Sequence, residues 1–136
     1  MAAESKEPHA NNPAFNIALR HPDVFGAAAG HSGEYVYRKA FGCSGIYGPE
    51  PGATALLEAN SPVLEVERLA GVAKGLRLYV DCGTGDESID ETRAFHAKLV
   101  ALGVPHEYHE FPGSHTWDYW RAHVRESLVA VTAGMR

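Results

Sequence analysis

Residues 76–115 read LRLYVDCGTGDESIDETRAFHAKLVALGVPHEYHEFPGSH, and the order of patterns inside this stretch sets the fold class. Leu76 to Val80 is a short apolar run, and the turn-forming Asp81-Cys82-Gly83-Thr84-Gly85-Asp86 follows at once, which predicts a buried strand and its outgoing loop. Ser88 to Leu102 carries Ala94, Phe95, Leu99 and Leu102 at helical spacing, and Gly103 stands where a helix stop is expected. Pro105 to Phe111 alternates around Tyr108 as a second strand, with Pro112-Gly113-Ser114-His115 as its outgoing loop. A strand, a helix and a strand in this order imply a right-handed crossover and a parallel sheet. In such sheets the chemistry gathers at the carboxyl ends of the strands.

Upstream, Pro13 suits the first turn of a short helix ending at Arg20, because its missing N–H costs nothing there. His21-Pro22-Asp23 stops that helix, since the residue before proline is pushed out of the helical region. Val24 to Ala29 reads as another buried strand, ending in Gly30-His31-Ser32-Gly33. The segment from Glu34 to Asn60 is rich in glycine and proline and predicts mostly loop, with a short helix at Thr54 to Ala59 and a helical turn opening at Ser61-Pro62. Downstream, a helix from about Thr116 to Ala130 carries Trp117, Trp120, Val124 and Leu128 on one face, which is expected to pack on the sheet. The expected fold is α/β: about three parallel strands with flanking helices, over 13–136, preceded by a polar leader, 1–12.

Composition narrows the function. With 136 residues, 45% hydrophobic and 21% charged, the chain is sized for one core. A formal charge of −5, with scattered Lys and Arg, argues against nucleic acid as a partner, because phosphate binding needs clustered positive charge. No apolar run suits a membrane span, and the amino-terminal residues lack a signal-peptide pattern, so a cytoplasmic location is expected. Cys43 and Cys82 do not make a disulfide framework; Cys82, at the end of a strand pattern, is expected as a buried thiol.

A hydrolytic triad needs a nucleophile, a histidine that takes its proton, and a carboxylate that fixes the histidine tautomer. Asp86 and His115 fit the last two roles, because adjacent parallel strands lie about 4.8 Å apart and their outgoing loops can meet. The plainer reading is that Asp86 caps the following helix and His115 fills a turn.

HPDVFGAAAGHSG (21–33), LRLYVDCGTGDES (76–88) and RAFHAKLVALGVPHEYHEFPGSHTWDYWR (93–121) together resemble consecutive segments of the esterase family that includes esterase D, feruloyl esterases and the mycolyltransferases. The resemblance runs from about Ala14 to Leu128. It implies an α/β-hydrolase fold, a carboxylic ester as small-molecule substrate, no cofactor and no metal. By position it implies Asp86 as the triad acid and His115 as the base. It also implies a G-x-S-x-G-G elbow just before the first helix, where Pro8 falls at the serine position, so the chain reads as a carboxyl-terminal half without the usual nucleophile. Ser32 in GHSG is the alternative nucleophile on the same rim, although Glu34 breaks the G-x-S-x-G pattern. Ser5, Ser114 and Cys82 are weaker substitutes.

Other readings fare less well. GTGDES (83–88) imitates a dinucleotide fingerprint, but Asp86 and Glu87 would put two negative charges where a pyrophosphate must sit. His106 and His109 should face opposite sides of an alternating strand, and no zinc spacing is present. A non-enzymatic reading is a catalytically silent assembly module: the first strand would offer an unpaired apolar edge, giving a homo-oligomer through edge pairing or a swapped segment.

Overall fold

A computed structural model describes residues 13–35, 48–49 and 52–135. The polar leader, with Ser5 and Pro8, and Cys43 lie outside the described residues. Three parallel strands, β1 (Ala27–His31), β2 (Arg77–Gly83) and β3 (Glu107–Phe111), form a sheet in the order β1-β2-β3. The helices are α1 (Pro13–Arg20), α2 (Gly52–Ala59), α3 (Pro62–Arg68), the short α4 (Ala70–Ala73), α5 (Ile89–Ala101) and α6 (Trp117–Thr132).

Strand alternation divides the sheet into two unlike faces. Leu78 and Val80 of β2 and Ala28 of β1 enter an apolar core with Phe15 and Leu19 of α1, Val66 of α3, and Phe95 and Leu99 of α5. Phe15, Tyr35 and Phe95 close this core as an aromatic cluster: Phe15 meets the other two edge-on, and Tyr35 stacks on Phe95 at 4.2 Å. Tyr79 and Asp81 of β2 point to the opposite face, where α6 packs, and both are fully buried.

Helix boundaries follow their local chemistry. Ser61 and Pro62 open α3, and the Ser61 hydroxyl and the Val63 N–H both donate to the Tyr35 carbonyl. Asp90 and Glu91 sit in the first turn of α5 and Lys98 in its last, the order the helix dipole favours. Gly103 ends it at φ +64, a conformation that glycine adopts without strain.

Three expectations are corrected. The strand expected over Leu76 to Val80 runs on through Asp81, Cys82 and Gly83, which pair with β3 instead of opening the loop. The first strand begins at Ala27, not Val24: Val24 and Phe25 donate their N–H groups to the His21 carbonyl in a turn set by Pro22, and both side chains are exposed. The face of α6 carrying Trp117, Val124 and Leu128 does not pack on the sheet; these side chains are 75%, 43% and 55% exposed. The buried residues are Tyr119 and Ser127, so the helix docks through polar side chains.

At the β3 edge, Arg93 grips Glu110 with both arms, Nε to Oε1 at 2.9 Å and Nη2 to Oε2 at 2.8 Å, and the Tyr108 hydroxyl donates to Oε1 at 2.6 Å. The Arg93 hydrogen bonds, aided by Tyr108, hold the Glu110 carboxyl down to about 2. A depressed folded-state pKa stabilises above the unfolded value, and the contribution is lost as pH falls toward the folded one. Because Arg93 is half exposed, solvent screening keeps the effect small. The stability difference between wild type and Glu110→Gln in urea titrations is therefore expected to be constant above about pH 5 and to shrink toward about pH 2.

Candidate active site

The loops leaving β2 and β3 are joined by their backbones. Thr84 N–H donates to the Phe111 carbonyl at 2.9 Å and Gly85 N–H to the Gly113 carbonyl at 2.8 Å. Two glycines make this approach possible. A Cβ on Gly83 would lie 2.5 Å from the Gly113 carbonyl oxygen, and one on Gly113 would lie 2.6 Å from the Tyr119 ring. Gly113 also has φ +145, which only glycine adopts readily. Gly113→Ala is expected to cost about 1–3 kcal/mol in urea unfolding through strain and the clash with Tyr119, and to displace the neighbouring His115.

On these paired loops Asp86 and His115 meet. Nδ1 of His115 lies 3.2 Å from Oδ2 and 3.3 Å from Oδ1 of Asp86. Asp86 is buried, and its Oδ1 also accepts the Ser88 N–H at 2.8 Å. Asp86 does not cap α5, whose N-cap residue is Ser88 with no side-chain cap hydrogen bond; the bond from the Ser88 N–H instead fixes the carboxylate that faces the imidazole. His115 is partly open to solvent, and Trp120 packs edge-on against it at 5.0 Å.

Ser32 stands at the end of β1 with φ +52. It is 5% exposed, its N–H donates to the Asp81 carbonyl at 2.9 Å, and its Oγ accepts the Trp120 Nε1–H at 3.3 Å. Ser32 and His115 therefore share Trp120 as a neighbour. Cys82 is a fully buried free thiol, as the strand pattern predicts, and burial pushes it up to about 11, which keeps it protonated and unreactive.

A second set of triad-type groups, absent from the sequence reading, lies beneath α6. His31 Nε2 is 2.8 Å from Ser127 Oγ, and His31 Nδ1 lies 2.8 Å from Asp81 Oδ2 in an ion-pair contact bent too far for a hydrogen bond. Tyr119 donates its hydroxyl to Asp81 Oδ1 at 2.9 Å. Ser127 is 3% exposed and donates its own hydroxyl to the Val124 carbonyl at 2.9 Å, so the ring donates Nε2–H to it. A buried serine with its proton committed to a backbone carbonyl is not poised as a nucleophile, and this set holds α6 to the sheet. Burial, followed by the neighbouring Asp81, pushes the Tyr79 and Tyr119 hydroxyls far up, so both stay neutral. The signal was present in the alternation, which places Asp81 on the face of Tyr79.

His106 and His109 do not come together, and each has a partner of its own. His106 precedes β3, and its Nε2 meets Nδ1 of His96 at 2.7 Å. His109 lies beside Glu107, at 2.8 Å from Nε2 to Oε1. Burial and the neighbouring His106 lower the basicity of His96.

Residues 12–130 match the family model described as "Putative esterase". The chain belongs to that family. Esterases from two strains of Mycobacterium tuberculosis are each 26% identical over 132 residues, covering 76% of this chain and 28% of theirs. The member thus spans little more than a quarter of those relatives' length. Among solved structures, a ferulic acid esterase superposes with a TM-score of 0.69 at 27% identity, over 88% of this chain and 46% of its own. The fluorophosphonate-binding serine hydrolase F of Staphylococcus aureus gives 0.70 at 21% identity, over 88% and 49%. These likenesses identify the three parallel strands and their helices as an α/β-hydrolase fold, about half of which the chain spans. No helix among the described residues is long and apolar enough to cross a membrane.

Proposed function

We propose that the chain supplies the histidine and aspartate of a serine-type carboxylic ester hydrolase. The observation that carries this reading is the contact of His115 Nδ1 with the buried Asp86 carboxylate on two loops held together by their backbones. Asp86 keeps the proton on Nδ1, which leaves Nε2 as the base. A hydroxyl attacks the ester carbonyl and passes its proton to Nε2, the tetrahedral oxyanion being held by backbone N–H groups. The imidazolium then protonates the departing alcohol as the ester C–O bond breaks. Water attacks the acyl-enzyme, gives a proton to Nε2, and releases the acid as the hydroxyl regains its proton. This chemistry needs no cofactor.

Ser32 is the serine nearest this role by sequence, but its burial and its bond to Trp120 support a different task. We assign it to holding Trp120 beside His115, and place the attacking hydroxyl elsewhere. Hydrolysis of p-nitrophenyl acetate tests both assignments. Activity lost in His115→Ala and largely kept in Ser32→Ala is expected. Equal loss in both would make Ser32 the nucleophile, and no activity in wild type would favour a catalytically silent module.

One observation favours a second reading, an assembly module. Among the described residues no strand pairs with the outer edge of β1, where Ala27 to Ala29 lie, and an open apolar edge invites a partner strand. Light scattering after size exclusion is expected on this reading to give a dimer or larger; a monomer would contradict it.

A further inference from the structure

We propose that His96 of α5 and His106, just before β3, form a two-imidazole chelating site for a borderline divalent transition-metal ion of the zinc or nickel type. The two rings arrive from different elements, each independently fixed. Phe95 and Leu99, both fully buried, set the rotation of α5, and Val104, 3% exposed, anchors the segment carrying His106. His96 also stacks on Tyr108 at 3.9 Å with an interplanar angle of 7°.

The hydrogen bonds dictate which nitrogens hold lone pairs. A carbonyl only accepts, so the contact of His106 Nδ1 with the Val104 carbonyl at 2.8 Å puts a proton on Nδ1 and leaves the lone pair on Nε2. This is the backbone support that orients metal-binding imidazoles. Nε2 then faces Nδ1 of His96 at 2.7 Å. Without metal, His96 donates Nδ1–H across this gap. With metal, His96 takes its other tautomer, Nε2–H, so both facing nitrogens offer lone pairs and no net proton is released from the neutral pair.

Zn–N bonds of about 2.0–2.1 Å in tetrahedral geometry need the nitrogens roughly 3.3 Å apart. A small rotation of the two rings supplies the difference. Arg93, one turn before His96, would repel a cation, but its guanidinium is held by Glu110. Among the described residues no three His, Cys, Asp or Glu side chains converge, so water completes the coordination shell. Imidazole ligands without thiolate select zinc, nickel and copper over magnesium and calcium.

Isothermal titration with Zn²⁺ and with Ni²⁺ at pH 7.5 tests the site, with Mg²⁺ as the negative ion. Wild type is expected to bind one ion of either transition metal. His106→Ala, and His96→Phe, which keeps a ring on Tyr108 but removes the nitrogen, are each expected to weaken binding more than tenfold. His109→Ala is expected to bind as wild type does. Circular dichroism in the absence of metal identifies a variant that has failed to fold, and His96→Phe then stands as the decisive variant. No binding by wild type, or equal binding by wild type and a folded His96→Phe, would overturn the proposal. Chemical-shift changes on Zn²⁺ addition that centre on histidines other than His96 and His106 would do the same.

Discussion

Replacing His115 by alanine is expected to reduce ester hydrolysis by on the order of 10⁴-fold or more, with little change in KM. Without the imidazole the attacking hydroxyl keeps its proton and the leaving alkoxide receives none. Asp86→Asn should cost a comparable roughly 10⁴-fold, for a subtler reason. An asparagine can donate its amide N–H to Nδ1, which turns the lone pair of His115 inward and leaves Nε2 protonated. Because Asp86 also accepts the Ser88 N–H, the amide oxygen can keep that bond while its nitrogen faces the ring. The loop should hold its shape, and the loss should fall on kcat. A fall below tenfold in either variant, measured on folded protein, would remove these residues from the chemistry.

The largest effect on stability is expected at Asp81. This carboxylate is fully buried, faces His31 and accepts the Tyr119 hydroxyl. Asp81→Ala strands the imidazole and the hydroxyl together under α6, and loss of one partner from a buried pair costs roughly 3–5 kcal/mol. Against a total stability of about 5–15 kcal/mol that is a large share. The melting temperature should fall by roughly 10–20 °C. Asp81→Asn should lose less, since it keeps an acceptor for Tyr119. A loss below about 1 kcal/mol for the alanine variant would mean that α6 is held by other contacts.

Legibility in the sequence followed the locality of the signal. The β2–α5–β3 unit was readable because its apolar run, helical spacing and alternation each lie within one element. The meeting of Asp86 and His115 was readable because the loops that carry them leave neighbouring parallel strands, and the glycines around them let those loops touch. The start of β1 was misread because Val24 and Phe25 are as apolar as a strand requires. Only the turn at Pro22 excludes them. The packing of α6 was misread for a different reason. Apolar spacing points to Trp117, Val124 and Leu128 as the buried face, whereas Tyr119 and Ser127 are buried through bonds to Asp81 and His31, partners distant in sequence. His96 and His106 lie ten positions apart on different elements, and no spacing rule joins them.

The tautomer of neutral His115 tests the central claim most directly. Nitrogen-15 chemical shifts of its imidazole in the neutral form are predicted to show a protonated Nδ1 and a bare Nε2, with the pattern altered in Asp86→Asn. A ring protonated at Nε2 in wild type, indifferent to the loss of the carboxylate, would contradict the account.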